Sequence, residues 1–262
     1  MTQNTSSENA SASALKPAEY CASDNCLQGR IILVTGAGAG IGKTVAITFA
    51  RYGATVILAG RTLAKLEAVY DSIEQAGYPQ AAIYSIDLEH ATESDYAALA
   101  SQLESEFSRL DGLLHNAAEL GERTSIASYT EESWNRVIKV NVTAQFMLSK
   151  AMLPLLQKSE SASVIFTSSG VGRTGRPFWG AYAVSKFATE GLSQVLAAEL
   201  ERTSQIRINC INPGATRTPM RAIAFPAEDP ATIKTPEQIM PAYLYLMGAD
   251  SQGVTGQSFD AQ

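Results

Sequence analysis

Two stretches of this chain hold side chains whose types and spacing could do chemistry. The first is Tyr182-Ala183-Val184-Ser185-Lys186, with Tyr and Lys four residues apart. On a helix, positions i and i+4 share one face, so the phenol and the ammonium stand one turn apart. A tyrosine phenol titrates near 10, so ionising it at neutral pH takes a drop of about 3 units, or about 4 kcal/mol. A lysine ammonium about 4–5 Å away, at an effective dielectric near 20, supplies about 3.5–4 kcal/mol. Such a pair can give or take a proton in a reaction. Ser168-Ser169-Gly170 follows an apolar run, and Ser169 precedes Tyr182 by 13 residues. A serine there adds a hydroxyl beside the pair; Ser168 is the rival for that place. By itself the Tyr/Lys spacing also fits an ordinary amphipathic helix.

The second stretch is the loop Thr35-Gly36-Ala37-Gly38-Ala39-Gly40-Ile41-Gly42, which follows the apolar run Ile31-Ile32-Leu33-Val34. The strict G-x-G-x-x-G spacing is absent; Gly36, Gly40 and Gly42 form G-x-x-x-G-x-G. Glycines allow a tight turn and close backbone approach, and a helix starting here would offer free N–H groups to a pyrophosphate. A plain strand–helix turn built of small residues is the alternative.

The elements that must position these groups follow from periodicity. Ile31–Val34 reads as a strand buried on both faces, and Gly42 to about Tyr52 as a helix. Strand and helix then alternate: 54–59, 63–75, 81–86, 96–107 and 112–115. A long helical region covers 131–157. A strand at 163–167, a helix at 182–202, a strand at 206–211, a helix at 236–247 and a short strand at 255–259 complete the chain. Alternation of this kind predicts an α/β domain: a doubly wound parallel sheet of about seven strands, helices on both faces, in three layers. Ligands of such sheets sit at the carboxyl ends of the strands, where both chemical stretches fall. Residues 1–29 are polar and aperiodic and read as a flexible tail, and 30–262 as one domain.

Composition narrows the function. There are 20 basic and 26 acidic residues, a net charge of −6, so no basic field exists to capture nucleic acid. Three cysteines and two histidines give neither a disulfide scaffold nor a zinc site, and no metal is expected. No apolar run approaches the roughly 20 residues of a membrane helix. Without a secretory signal, the expected location is cytoplasmic.

Taken in order, TGAGAGIG at 35–42, HNAA at 115–118, Asn141, Ser169, Tyr182, Lys186 and NPGATRT at 212–218 resemble the short-chain dehydrogenase/reductase family. The resemblance covers about residues 30–260 and the single-domain branch with its Rossmann-like fold. The segment 166–191 and the ending TGQSFDAQ look like a bacterial group whose substrate is unassigned. The resemblance implies an oxidoreductase that moves a hydride between a nicotinamide cofactor and a carbonyl or alcohol substrate. Tyr182 would be the catalytic acid or base and Ser169 would hydrogen-bond the substrate oxygen. Lys186 would lower the tyrosine pKa and hold the nicotinamide ribose, and Asn141, in the break of the long helical region, would hold a water linking Lys186 to solvent. Gly36, Gly40, Ile41 and Gly42 would cradle the pyrophosphate, and Asp87 and Leu88 would meet the adenine. Asn116 and Ala117 would lie along the adenosine ribose, Asn116 also bracing the central sheet. Pro213, Gly214, Thr216 and Thr218 would flank the nicotinamide. The family also implies a homodimer or homotetramer, assembled partly through the helix of Tyr182.

Two departures matter. Ala118 stands where the family has glycine, so a left-handed backbone there would be strained. Ala39 stands where the family often has a basic residue. After the second strand comes Ala59-Gly60-Arg61 with no carboxylate. An acid there favours NAD; Arg61 instead suits a 2′-phosphate, so NADP is expected, with NAD possible. Three loops, about 119–129, 170–181 and 215–235, should close the substrate pocket. They bring Phe178, Trp179, Met220 and Phe225, together with Arg173, Arg176, Arg217 and Arg221. The arginines are either a solvated rim or an attraction for an anionic carbonyl substrate. The shortness of the last loop suggests an open site. Other classes fit less well. A serine hydrolase lacks G-x-S-x-G, with His90 and His115 better explained structurally, and a sugar-nucleotide epimerase would need a further domain. A non-enzymatic NAD(P)-binding regulator on the same fold is the standing alternative.

Overall fold

The computed structural model describes residues 17–262. Seven parallel strands form one sheet: β1 (Ile31–Thr35), β2 (Thr55–Gly60), β3 (Ala82–Ser85), β4 (Gly112–His115), β5 (Ser163–Thr167), β6 (Arg207–Asn212) and β7 (Ser258–Asp260). Their order is β3-β2-β1-β4-β5-β6-β7. The chain reverses direction across the sheet between β1 and β4, so a crevice opens at the carboxyl ends of those two strands. Ile32 pairs with Gly112 and Val34 with Leu114, which fixes the register there.

Eight helices connect the strands among the described residues. These are α1 (Gly40–Arg51), α2 (Leu63–Gln75), α3 (Glu93–Phe107), α4 (Glu131–Ile138), α5 (Ala144–Leu156), α6 (Gly180–Leu200), α7 (Pro219–Ala224) and α8 (Met240–Met247). Two apolar clusters flank the sheet. Phe49 of α1, Val69 of α2 and Tyr243 of α8 pack on one face; Leu99 of α3, Met152 of α5 and Leu196 of α6 pack on the other. The strands carry apolar residues on both faces, as a doubly covered parallel sheet must.

One detail differs from the sequence reading. Residues 17–29 are not a free tail: Leu27 is fully buried, its N–H donates to Tyr52 O at 3.0 Å, and Tyr20 donates to Asp250 at 2.8 Å. The polar spacing hides these few apolar anchors, whose partners lie far along the chain. Residues 1–16 of the expected tail lie outside the described residues. The helical region 131–157 has the break anticipated at Asn141. A π-helical turn, Lys139–Thr143, separates α4 from α5 and carries Asn141; such turns often mark functional positions. No helix among the described residues is long and apolar enough to cross a membrane.

Candidate active site

The glycine loop runs from the end of β1 into α1. Gly36 has φ +67°, and a Cβ there would press on the Ala117 backbone at 3.0 Å. Gly42 faces inward: a Cβ would lie 2.2 Å from Gly36 O. Gly42 therefore sets how closely α1 seats under the loop, while Gly36, Gly40 and Ile41 face the crevice. Opposite, Thr35 ties β1 to the segment after β4. Its hydroxyl accepts from the N–H groups of Asn116 at 3.0 Å and Ala117 at 3.1 Å, and Asn116 Nδ2 donates to Thr35 O at 3.2 Å. Asn116 thus braces the sheet at the crevice. Ala118 is not among the residues with left-handed backbone, so the strain anticipated from its Cβ does not arise.

Two cavities share the banks formed by Gly36, Ala39, Ala117 and Ala118 and make one trough. The first, about 290 Å³, reaches from Gly40 and Ile41 past Pro213, Gly214, Thr216 and Thr218 to Ser169, Tyr182 and Lys186. The second, about 240 Å³, continues to Arg61, Asp87 and Leu88. Every residue anticipated for the cofactor lines the trough except Gly42, which supports it from below. Sequence reasoning missed Lys65 and Glu119 at the far end. Lys65 lies in the first turn of α2, four residues after Arg61, and Glu119 sits 3.0 Å from Arg61 Nη1.

At the near end, β5 and α6 converge. Tyr182 and Lys186 are nearly fully buried. Lys186 Nζ lies 5.5 Å from the Tyr182 ring centre and donates to Thr167 O at 2.7 Å. The two serines behave differently. Ser169 hydrogen-bonds Tyr182, whereas Ser168 Oγ is buried without a partner among the described residues. Burial pushes Tyr182 up to about 12, and the Ser169 hydrogen bond offsets this only in part. Burial also pulls Lys186 down to about 8. The lysine-driven drop of the tyrosine pKa anticipated from spacing is therefore not what the folded chain produces by itself. Desolvation is the largest influence on both groups, and it keeps Tyr182 a neutral phenol.

Asn141 ties the site together through its side chain. Its Oδ1 accepts from Glu119 N at 2.7 Å, and its Nδ2 donates to Glu119 O at 2.9 Å and Ser185 Oγ at 3.0 Å. Ser185 Oγ in turn donates to Tyr182 O at 2.7 Å. The Asn141 side chain is thus spent on locking the segment after β4 to the Tyr182 helix. His115 lies in the core: its Nε2 meets Ser149 Oγ at 2.8 Å, and its ring stacks on Phe166 at 4.5 Å. Burial depresses it to about 3, so it stays neutral and out of the chemistry.

Three loops cover the near end, and α7, unforeseen in the sequence, forms part of the last. Arg123, also unforeseen, bolts them together. Its guanidinium lies 4.1 Å over the Trp179 ring and donates to Phe178 O at 3.1 Å and Ala224 O at 2.9 Å. Phe178 holds a left-handed backbone at φ +67°, a conformation costly for an aromatic residue and kept by that grip. Arg123 therefore clasps the three loops to one another beside the site. Of the four arginines anticipated there, Arg173 and Arg221 are held in ion pairs. Arg173 pairs with Asp260 at 2.9 Å, Arg217 donates to Pro230 O at 2.7 Å, and Arg221 forms a bidentate pair with Glu228. Of the four arginines only Arg221 lines the cavity, whose walls there are Leu120, Trp179, Met220, Ala224 and Phe225.

Comparison with known proteins agrees with this geometry. The family model described as short chain dehydrogenase matches residues 30–229. The uncharacterized oxidoreductase YciK of Escherichia coli K12 is 52% identical over 243 residues, 93% of this chain and 96% of its own. A short chain dehydrogenase structure from Pseudomonas syringae superposes with TM-score 0.92 at 56% identity, covering 93% of this chain and 99% of that one. Another, from E. coli CFT073 and complexed with NADPH, has TM-score 0.89 at 53% identity, covering 92% and 100%. The glycine crevice at the β1/β4 reversal, the buried Tyr182–Lys186 pair and these matches together make the chain a member of the short-chain dehydrogenase/reductase family of oxidoreductases.

Proposed function

We propose that this protein is an NADP-dependent oxidoreductase that interconverts a carbonyl and an alcohol, with Tyr182 as the acid/base. The observation that carries this reading is the buried Tyr182, hydrogen-bonded by Ser169, in a cavity continuous with the glycine trough. The trough fits a dinucleotide: the bare backbone of Gly36 and Gly40 leaves room for a pyrophosphate, and α1 begins there. At the far end Arg61 and Lys65 supply two cations, and no carboxylate follows β2. The NADPH complex of the E. coli CFT073 protein supports the same cofactor.

When bound, the nicotinamide supplies or accepts the hydride. Tyr182, a neutral phenol at neutral pH, hands its proton to the carbonyl oxygen in reduction. Ser169 stabilises the charge that develops on that oxygen. Lys186, buried beside Tyr182, would hold the ribose. Asn141 positions these groups through Ser185 and Glu119. In the reverse direction Tyr182 must first lose its proton, so oxidation should quicken as pH rises.

The substrate body is apolar and neutral, because the walls beside Tyr182 are apolar and Arg221 is already neutralised by Glu228. A carboxylate on the substrate would lose hydration there without a partner. With NADPH and a carbonyl panel, neutral apolar ketones and aldehydes should exceed matched carboxylated ones in kcat/KM by about tenfold or more. Preference for the carboxylated members would overturn this substrate class.

The protein acts in the cytoplasm as a symmetric homo-oligomer. Val184, Phe187 and Val195 of α6, each about half exposed, follow a helical stripe, and Phe146 of α5 is equally exposed. A row of this kind on neighbouring helices suits a self-complementary interface. Light scattering should give a dimer or tetramer for the native chain and a smaller mass for Val195→Glu. A native monomer would refute the assembly.

A further inference from the structure

We infer that Glu119 tunes cofactor discrimination by occupying Arg61 in place of the 2′-phosphate; this rests on the NADP reading above. Arg61 follows β2 and Glu119 follows β4, on opposite sides of β1. Their side chains meet at 3.0 Å and both line the far cavity, so the pair spans the trough where the adenosine half would lie. Glu119 is held in place for this. Asn141 clamps both its N–H and its carbonyl, at 2.7 and 2.9 Å, which leaves only the carboxylate free to choose a partner. Arg61 has no other ion pair among the described residues.

A guanidinium binds a carboxylate and a phosphate through the same fork of donors. A 2′-phosphate must therefore displace Glu119 from Arg61, whereas a ribose 2′-hydroxyl carries no charge with which to compete. The carboxylate acts as a built-in rival of NADP and is indifferent to NAD. Its effect is modest, because the Arg61 side chain is 59% exposed and pairs of this kind are worth about twofold to fivefold in an equilibrium.

The test is direct binding, by NADPH and NADH fluorescence, to the full chain and to E119Q, R61A and the double variant. Glu119→Gln removes the charge and leaves the backbone clamp by Asn141 untouched. E119Q should bind NADPH about twofold to fivefold more tightly at low salt, with the gain fading as salt rises. NADH affinity should not change. In the R61A background the gain should vanish, since the rivalry runs through Arg61. Weaker NADPH binding by E119Q would make Glu119 a ligand or clasp and overturn the inference. So would a gain that persists without Arg61 or appears equally with NADH. A native protein that binds both cofactors alike would instead refute the NADP reading, an outcome that the native chain alone reveals.

Discussion

Tyr182→Phe should lower kcat/KM for carbonyl reduction by about 10²–10⁴-fold while leaving NADPH affinity within about twofold. The substitution removes one oxygen. The ring keeps its neighbours, Trp179 at 5.7 Å between ring centres and Lys186 Nζ at 5.5 Å. The proton source and the partner of Ser169 are both lost. The native pH profile should carry the signature of that oxygen. Burial holds the phenol protonated to about 12 and drops Lys186 to about 8. Reduction should therefore hold level through neutral pH and decline once Lys186 loses its proton above about 8. Oxidation should climb with pH, because the phenolate is the scarce form. Steady-state rates from pH 6 to 10 in both directions, native beside variant, check this. Undiminished turnover in the variant would remove Tyr182 from the chemistry. Tight NADPH binding without turnover by either protein on a broad panel would favour a nucleotide-binding regulator.

How much of this was readable beforehand depends on the range of the interactions. Helix α2 and strands β4 and β5 lie at the residues that periodicity assigned, because each has a strong local pattern and a clear break at both ends. Helix α7 escaped notice: at six residues, opened by Pro219 and without a buried residue, it has no periodic stripe to read. The anchoring of 17–29 escaped for the opposite reason. Tyr20 and Leu27 are isolated apolar residues whose partners, Asp250 and Tyr52, are distant in sequence.

The site divides in the same way. Gly36, Tyr182, Lys186 and Ser169 stand out because their types and spacings imply chemistry locally. Arg123, Lys65 and Glu119 carry no such mark; each gains its meaning from a loop or helix brought alongside by the sheet order. The tyrosine pKa shows a further limit. Sequence spacing places a charge near the phenol but is silent about burial, and burial decides the direction in the folded chain.

Arg61→Asp should invert the cofactor preference, lowering kcat/KM with NADPH by about 10²-fold and leaving that with NADH unchanged or improved. A charge-assisted contact to the 2′-phosphate is worth about 1.5–3 kcal/mol, or about 10- to 150-fold. A carboxylate in its place adds repulsion of about 1 kcal/mol at contact range in water. It also stands beside Glu119, which then loses its partner and adds a second negative charge on that bank. NADH carries no phosphate to be repelled, and an acid at this position can accept its ribose hydroxyl. The ratio of kcat/KM for the two cofactors isolates the effect, because damage common to both cancels. The contrast should shrink as ionic strength rises, since Arg61 is well exposed and its field is screened. An unchanged ratio would move the 2′-phosphate away from Arg61. Lys65, the other cation on that bank, would then be the residue whose loss should reproduce the shift.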